Sequence, residues 1–244
     1  MTLSKRPLLC ITGTTGSGKN SVGILAAEKL GGEVLSLDSM KVYRKMDIGT
    51  AKPSPDELAR VKHHMIDIKE PTDRIDLSKF LIQSDEILKE RHEANCPIVA
   101  VGGTAMYLTG LLFGVHDGPS RDEEFRTRLR AERDEVGLAV LHARLATIDP
   151  PTATKINPND YQRIERALEI HAQTGKPPSA QAANWFREPR YDAQVYIITW
   201  PRDVLRQRID ARIDKMFEQG WVKEVSTIVE TTGFSQEAIM ALGY

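Results

Sequence analysis

Residues 13–20 read GTTGSGKN, a spacing of glycines and lysine that can hold phosphate. The glycines of Gly13, Thr14, Thr15, Gly16, Ser17, Gly18, Lys19 and Asn20 let backbone amides turn inward on an anion. A helix N-terminus behind them adds positive potential, and Lys19 can reach the oxygens. Such loops end in a serine or threonine whose hydroxyl coordinates magnesium. Asn20 stands there instead and offers an amide oxygen on a longer side chain, a weak possible magnesium ligand. Ser21 is not an equivalent donor, because one residue turns about 100° around a helix.

Three further sets of residues could act beside this loop. Asp38 follows the apolar stretch EVLSLD and could hold a metal, act as a general base or cap a turn. Thr104, in GGTAMY, could donate its hydroxyl to a phosphate or serve as a helix N-cap. Arg208 and Arg212 lie four apart and share one helix face, as bidentate phosphate binders or as solvated surface arginines. His63 and His64 are adjacent, point in different directions, and fit solvated or core roles. No cysteine, histidine and carboxylate cluster has zinc spacing.

The elements that position these residues alternate. PLLCITG (7–13), EVLSLD (33–38), HHMIDI (63–68), PIVAVGG (97–103) and AQVYIITW (193–200) read as strands. Helices are expected over 18–30, with Val22, Leu25, Ala26 and Leu30 on one side, and over 77–93, 104–112 and 202–220. Strand–helix alternation implies a parallel sheet with helices on both faces, and its carboxyl edge is where ligands bind. Residues 118–190 lack strand signals and read as a helical insertion. Its last long helix should be capped by Asp160 and stopped by Gly175. The expected division is 1–117 with 191–244 as the phosphate-loop core, and 118–190 as the insertion. Another helix is expected to begin in SQEAIMALGY.

Composition narrows the class. Of 244 residues, 41% are hydrophobic and 27% charged, as in an ordinary globular protein. The net charge of −1 means that a nucleic-acid partner must be met by a local basic surface. The arginines of 121–133 are interleaved with acids and read as a solvated helix face. Cys10 and Cys96 lie in apolar stretches and read as buried thiols of a reducing, cytoplasmic setting. No run approaches the roughly 18 apolar residues of a membrane span. These features alone indicate a phosphate-loop α/β protein acting on a phosphorylated substrate, whether kinase, NTPase or another class.

Longer strings go further. DSMKVYRKMDIGTAKPSPDELARVKHHMID (38–67), VGGTAMYLTGLL (101–112), INPNDYQRIERALEIHAQTGKPPS (156–179) and LRQRIDARIDKMFEQGWVKEV (205–225) occur in order along the chain. Together they closely resemble the bacterial tRNA dimethylallyltransferase family. The resemblance implies a P-loop NTPase-like parallel sheet flanked by helices, with the helical insertion gripping a tRNA anticodon stem-loop. It implies transfer of a dimethylallyl group from dimethylallyl diphosphate to N6 of the adenosine just 3′ of the anticodon, releasing diphosphate. Magnesium is the implied cofactor. By the same resemblance Asp38, Thr104 and Arg212 are the catalytic residues, and residues 13–20 with Arg208 hold the diphosphate. Ser39, Lys41, Asn159, Asp160, Gln162 and Arg163 are the implied tRNA-facing positions, in a monomer without membrane association.

The sequence departs from the family pattern in three places. The loop reads GTTGSGKN where the family has G-P-T-A-S-G-K-[ST]. Lys41 replaces glutamine, which alters contact with the flipped base or adds a phosphate contact. The family pattern also continues beyond A-x-G-Y, whereas this sequence stops at Tyr244. Three alternatives share some of these features: a transferase acting on free adenine nucleotides, a small-molecule kinase and a catalytically weak RNA-binding relative.

Overall fold

The structure, a computed structural model, describes residues 7–114, 119–182 and 188–244. The chain divides into two compact units, Met1–Gly114 with Pro189–Tyr244, and Val115–Glu188. The boundary expected at 117/118 lies outside the described residues.

The first unit begins β1 (Pro7–Gly13), α1 (Lys19–Leu30), β2 (Glu33–Ser36), α2 (Pro55–Arg60), β3 (His63–His64), α3 (Leu77–Glu93), β4 (Ile98–Gly102) and α4 (Ala105–Phe113). The second contains α5 (Glu123–Val136), α6 (Leu138–Ile148), α7 (Pro150–Lys155), α8 (Tyr161–Thr174) and α9 (Pro178–Ala182). The first resumes with β5 (Asp192–Ile198), α10 (Arg202–Glu218), α11 (Trp221–Thr231) and a 3-10 turn at Ala238–Met240.

All five strands are parallel, in the order β3-β2-β4-β1-β5. β4 (IVAVG) is buried along its whole length, the pattern of a strand covered on both faces. Cys10, Leu35, Val99 and Ala100 are inaccessible to solvent in this layer. Fully burying Leu35 or Val99 is worth about 1.5–3 kcal/mol each. β5 is an edge strand, and its Val195, Tyr196 and Ile197 are exposed.

Several elements differ from expectation. β2 stops at Ser36 because the chain there crosses the end of β4. Leu37 N–H donates to Val101 O at 2.7 Å, and a Cβ on Gly102 would lie 2.0 Å from Leu37 O. Asp38 therefore stands just beyond the strand, against the turn at 102–104. β3 is only two residues long, because Met65 and Asp67 take left-handed φ of 62° and 55° and break the extended run. The side of α1 carrying Val22, Leu25 and Leu30 faces solvent, while Gly23, Ile24 and Ala27 are buried against the sheet. Apolar spacing marked the helix but not its inward face. Cys96 is half-buried, whereas Cys10 is buried and its thiol is pushed up to about 12 by desolvation. The last segment forms a 3-10 turn in place of a longer helix.

The second unit packs Leu129, Leu141, Leu145, Ile164 and Leu168 into its own core. Asp160 accepts from Arg163 N–H at 3.2 Å as the α8 N-cap, and Gly175 ends that helix with φ of 65°. A buried carboxylate ties α5 to α8. Glu169 accepts from Arg126 Nε and Nη2 at 2.8 and 2.7 Å, from Asp122 N–H at 2.8 Å and from Arg166 Nη1 at 2.5 Å. Burial alone would raise its pKa; the two guanidiniums and the amide outweigh that and bring it down to about 2.

A carboxylate with a lowered folded-state pKa stabilises above its unfolded value and loses that contribution as pH falls through the folded one. Glu169→Ala should cost about 3 kcal/mol in urea unfolding at pH 7, because it removes the bidentate partner of Arg126 and leaves only its ion pair with Glu165 at 3.2 Å. The gap between the two proteins should narrow as pH falls from 4.5 towards about 2. A gap that stays constant over that range would show that Glu169 does not carry this stability.

Candidate active site

The phosphate loop runs between β1 and α1 at the carboxyl edge of the sheet. Thr14 O accepts from Ser17 N–H at 3.2 Å and from Lys19 Nζ at 3.1 Å, which closes the turn. Thr14 and Thr15 are exposed at its rim. Ser17 is buried, and its hydroxyl makes no hydrogen bond among the described residues. Gly16 has a left-handed φ of 80°, and a Cβ there would meet Ile209 Cγ1 at 2.9 Å. Glycine at 16 therefore lets the loop both turn and accept α10 against it.

α10 braces the loop. Arg208 Nε donates to Gly16 O at 2.8 Å, and Trp200 Nε1 donates to Ser17 O at 2.8 Å. The Arg208 guanidinium stacks over the Trp200 ring at 4.9 Å. Arg208 thus holds the Gly16 carbonyl as well as standing beside Gly18. Trp200 was not singled out from the sequence. Its position directly after β5 at the sheet's carboxyl edge was the available signal.

Asp38 faces this loop from the end of β2. Its Oδ1 accepts from Met40 and Lys41 N–H at 2.9 and 3.3 Å; Oδ2 makes no hydrogen bond among the described residues. Thr104 sits at the head of α4 but does not cap it with its side chain. Its Oγ1 accepts from Ser39 N–H at 3.2 Å, while its own N–H donates to Leu37 O at 3.2 Å. Thr104 therefore locks the turn carrying Asp38 to the end of β4. Gly103 leaves room for Lys19, whose Nζ would lie 3.4 Å from a Cβ at that position.

Three cations act on Asp38. Lys19 is held below its usual pKa by burial and by Arg212, with Asp38 opposing. Arg212 is lowered by burial, again against Asp38. Lys41 is only 4% exposed, and desolvation pulls its ammonium down to about 8 against the pull of Asp38. Sequence reasoning expected Lys41 to face RNA or phosphate. It is buried in the structure and lines a small cavity together with Asn20, Ser36, Pro53 and His63.

Magnesium prefers octahedral oxygen donors, usually one or two carboxylates with substrate phosphate. Asp38 is the one carboxylate seen acting on Lys19 and Arg212, and its Oδ1 is committed to two amides. Asn20 lines its cavity with an ammonium, and a divalent cation there would be repelled. Among the described residues, no group of three or more His, Cys, Asp or Glu is placed to hold a metal. Asn20 shares its cavity with Lys41 and is thus a poor ligand for a divalent ion, while Asp38 Oδ2 stays free of protein hydrogen bonds among the described residues.

The loop after Asp38 is anchored far along the chain. Glu224 of α11 accepts from Asp47 N–H at 3.0 Å, from Ile48 N–H at 2.9 Å and from Gly49 N–H at 3.4 Å. The Tyr244 hydroxyl accepts from Gly49 N–H at 3.0 Å and donates to Glu224. Burial and the Glu224 carboxylate push the Tyr244 pKa upward. Lys52 is buried and donates to Tyr43 O and Asp47 Oδ1, both at 2.6 Å, and to Asp67. Segment 41–43 is held by 67–69: Asp67 N–H donates to Lys41 O at 3.2 Å, and Ile68 N–H to Val42 O at 2.9 Å. Much of the MDIGTAKP string is therefore scaffold for Asp38. Neither Glu224 nor Tyr244 was marked as functional from the sequence.

Asn159, Asp160, Gln162 and Arg163 lie on the second unit. Asn159, Gln162 and Arg163 are exposed there, and Asp160 is occupied as a helix cap with an ion pair to Arg163 at 3.4 Å.

Comparison with known proteins fixes the relationship. The IPP transferase family profile matches residues 41–244. The tRNA dimethylallyltransferase of Myxococcus xanthus is 42% identical over 244 residues, covering 99% of this chain and 79% of the relative. That of Anaeromyxobacter dehalogenans is 41% identical over 238 residues, covering 97% and 79%. The chain belongs to the IPP transferase family.

Solved structures agree with the assignment to the IPP transferase family. The full-length tRNA isopentenylpyrophosphate transferase of Bacillus halodurans is 37% identical, with a TM-score of 0.67 over 98% of this chain and 75% of that one. A eukaryotic dimethylallyltransferase acting on tRNA is 30% identical, with a TM-score of 0.79 over 92% and 56%. The fold is thus the P-loop NTPase-like parallel sheet of these transferases. The family match begins at Lys41, so the GTTGSGKN loop and Asp38 lie ahead of it. No helix among the described residues is long and apolar enough to cross a membrane.

The Glu224 anchor can be tested without substrate. Glu224→Ala should speed amide hydrogen exchange at residues 47–49 by about tenfold or more, since charge-assisted hydrogen bonds are lost there. Unchanged exchange would mean that the loop holds its shape by packing alone.

Proposed function

We propose that the core unit holds the diphosphate of dimethylallyl diphosphate on the Gly13–Asn20 loop and transfers the dimethylallyl group to N6 of the tRNA adenosine 3′ of the anticodon. The observation that carries this reading is the convergence of Lys19, Arg212 and Asp38 at one sheet edge. The chain carrying it is about 40% identical to named tRNA dimethylallyltransferases over nearly its whole length.

The chemistry is a substitution at the allylic carbon. A bond forms from N6 to C1 of the prenyl chain, while the C1–O bond breaks and the electron pair leaves with diphosphate. Lys19 and Arg212 stabilise the charge growing on the leaving group, a form of electrostatic stabilisation strengthened by their partial burial. Asp38 Oδ2 accepts the N6 proton, while the amides on Oδ1 keep the carboxylate oriented. Thr104 fixes the Asp38 turn and is positioned to meet the diphosphate. An adenosine must leave its stack to reach such a site, as base-modifying enzymes require. The second unit supplies the grip on the anticodon stem, with Asn159, Gln162 and Arg163 among its exposed side chains. No step is assigned to a protein-bound magnesium ion.

The test is transfer of radiolabel from dimethylallyl diphosphate to unmodified tRNA or to AMP. Label should appear in tRNA. Label in AMP alone would establish the free-nucleotide reaction instead, and phosphate transfer from ATP would establish a kinase. Asp38→Asn should lower kcat by about 10²–10⁴-fold with little change in tRNA affinity. Loss of tRNA binding with intact single-turnover chemistry would remove Asp38 from the role of base.

A further inference from the structure

Two successive carbonyls of the phosphate loop are held from outside it. Arg208 Nε donates to Gly16 O, and Trp200 Nε1 donates to Ser17 O, both at 2.8 Å. A trans peptide carries its C=O and N–H on opposite sides, so holding one aims the other. In the Gly16–Ser17 peptide, Gly16 O turns out to Arg208 and Ser17 N–H bonds Thr14 O at 3.2 Å within the turn. The Ser17–Gly18 peptide is held in the same way but its inner end is open. Trp200 takes Ser17 O, and Gly18 N–H has no acceptor among the described residues. That amide stands at the head of α1, beside the first-turn amides of Lys19 and Asn20 that no helix carbonyl can meet.

The loop's glycines make such outside support valuable. Gly16 and Gly18 have left-handed φ of 80° and 89°, and glycine loses more conformational freedom on ordering than any other residue. The sheet puts Trp200 where it can supply the support. β5 is registered on β1 with Ile198 opposite Gly13, and a Cβ on Gly13 would lie 2.7 Å from Ile198 O. The end of β5 therefore runs tightly against the start of the loop. Trp200 follows directly, and Pro201 then leads into α10. The Trp200 ring also carries the Arg208 guanidinium at 4.9 Å, and Arg208 Nη2 stands 3.2 Å from where a Cβ on Gly18 would be. One side chain thus governs the open amide and the cation beside it.

We propose that Trp200 is a positioning residue for the donor's diphosphate: by holding Ser17 O it points the Gly18 N–H at the anion, and by stacking it fixes Arg208 beside that amide. The inference rests on the reading above that the loop holds diphosphate, and it names the residue outside the loop that gives the loop its shape. Trp200 acts through the peptide it orients and does not itself need to touch the anion. The oriented amide meets the diphosphate before and during transfer alike. Losing the indole N–H should therefore weaken donor binding and spare the chemical step.

Calorimetric titration of the full chain with inorganic pyrophosphate tests this, with prenyl transfer to tRNA assayed on the same preparations. Trp200→Phe keeps a ring under Arg208 and loses the donor. It should weaken pyrophosphate binding about tenfold and raise the KM for dimethylallyl diphosphate by a similar factor, with kcat and the KM for tRNA within about twofold of wild type. Trp200→His restores a donor, because its Nε2 lies as far from Cγ along the ring as the indole Nε1 does. At about pH 8, where the imidazole is neutral, it should recover affinity to within about threefold of wild type. Trp200 is 44% exposed, so both variants should fold, which thermal melting checks. Pyrophosphate binding indifferent to Trp200→Phe, or Trp200→His no better than Trp200→Phe, would overturn the proposal. Either result beside wild-type transfer to tRNA would leave the prenyltransferase reading standing and remove only this inference. Weakening and rescue of pyrophosphate binding without transfer to tRNA would do the reverse.

Discussion

The carboxylate of Asp38 faces a small group of cations, and the architecture around it keeps that imbalance in place. Lys19 comes from the loop after β1, Lys41 from the turn after β2, and Arg212 from α10. They can meet only where parallel strands end side by side, with β1 between β4 and β5. The crossing of Leu37 over Gly102 sets Asp38 beyond the strand, and Thr104 fixes it there through the Ser39 amide. Partial burial sharpens every charge in the group, because interactions between charges strengthen as water is removed.

Two kinds of support hold this arrangement. Arg208 of α10, with Trp200 of the segment leading into it, braces the phosphate loop. Glu224 gathers three successive amides of the loop after Asp38, and Lys52 ties the same loop to Asp67. Both use charge on backbone or on a buried counter-charge, rather than apolar contact alone. Such bonds fix direction as well as distance, which a general base requires.

The features legible in the sequence were those whose signal is local. GTTGSGKN, the strand–helix alternation and the Asp160 and Gly175 caps each declare themselves within a few residues. Asp38 and Thr104 could be placed at the sheet edge because each follows an apolar strand. Residues whose role depends on distant partners were harder to read. Glu224 looks like any acid in a charged helix until residues 47–49 are brought against it, 175 to 177 positions away in the chain. Lys41 is polar by composition, and only the surrounding turn and strands reveal that it is enclosed. The inward side of α1 was misjudged for a related reason. Gly23 and Ala27 let the helix approach β4, and this close packing counts for more than the larger apolar residues beside them.

The long reach of these supports has a consequence during synthesis. Arg208 and Gly16 are 192 positions apart, and Gly49 and Tyr244 are 195 apart. β1 likewise pairs on one side with β5, which is separated from it by the whole second unit. As the nascent chain emerges, the phosphate loop and the Asp38 turn are made early, but their braces come some 190 residues later. Domains tend to fold in order of emergence, so the helical unit can be complete while the phosphate-loop edge of the sheet is still half built. The interval between those events is when one hydrogen-bonding edge of β1 lacks its partner strand, and it is the stage at which a chaperone would have most to protect.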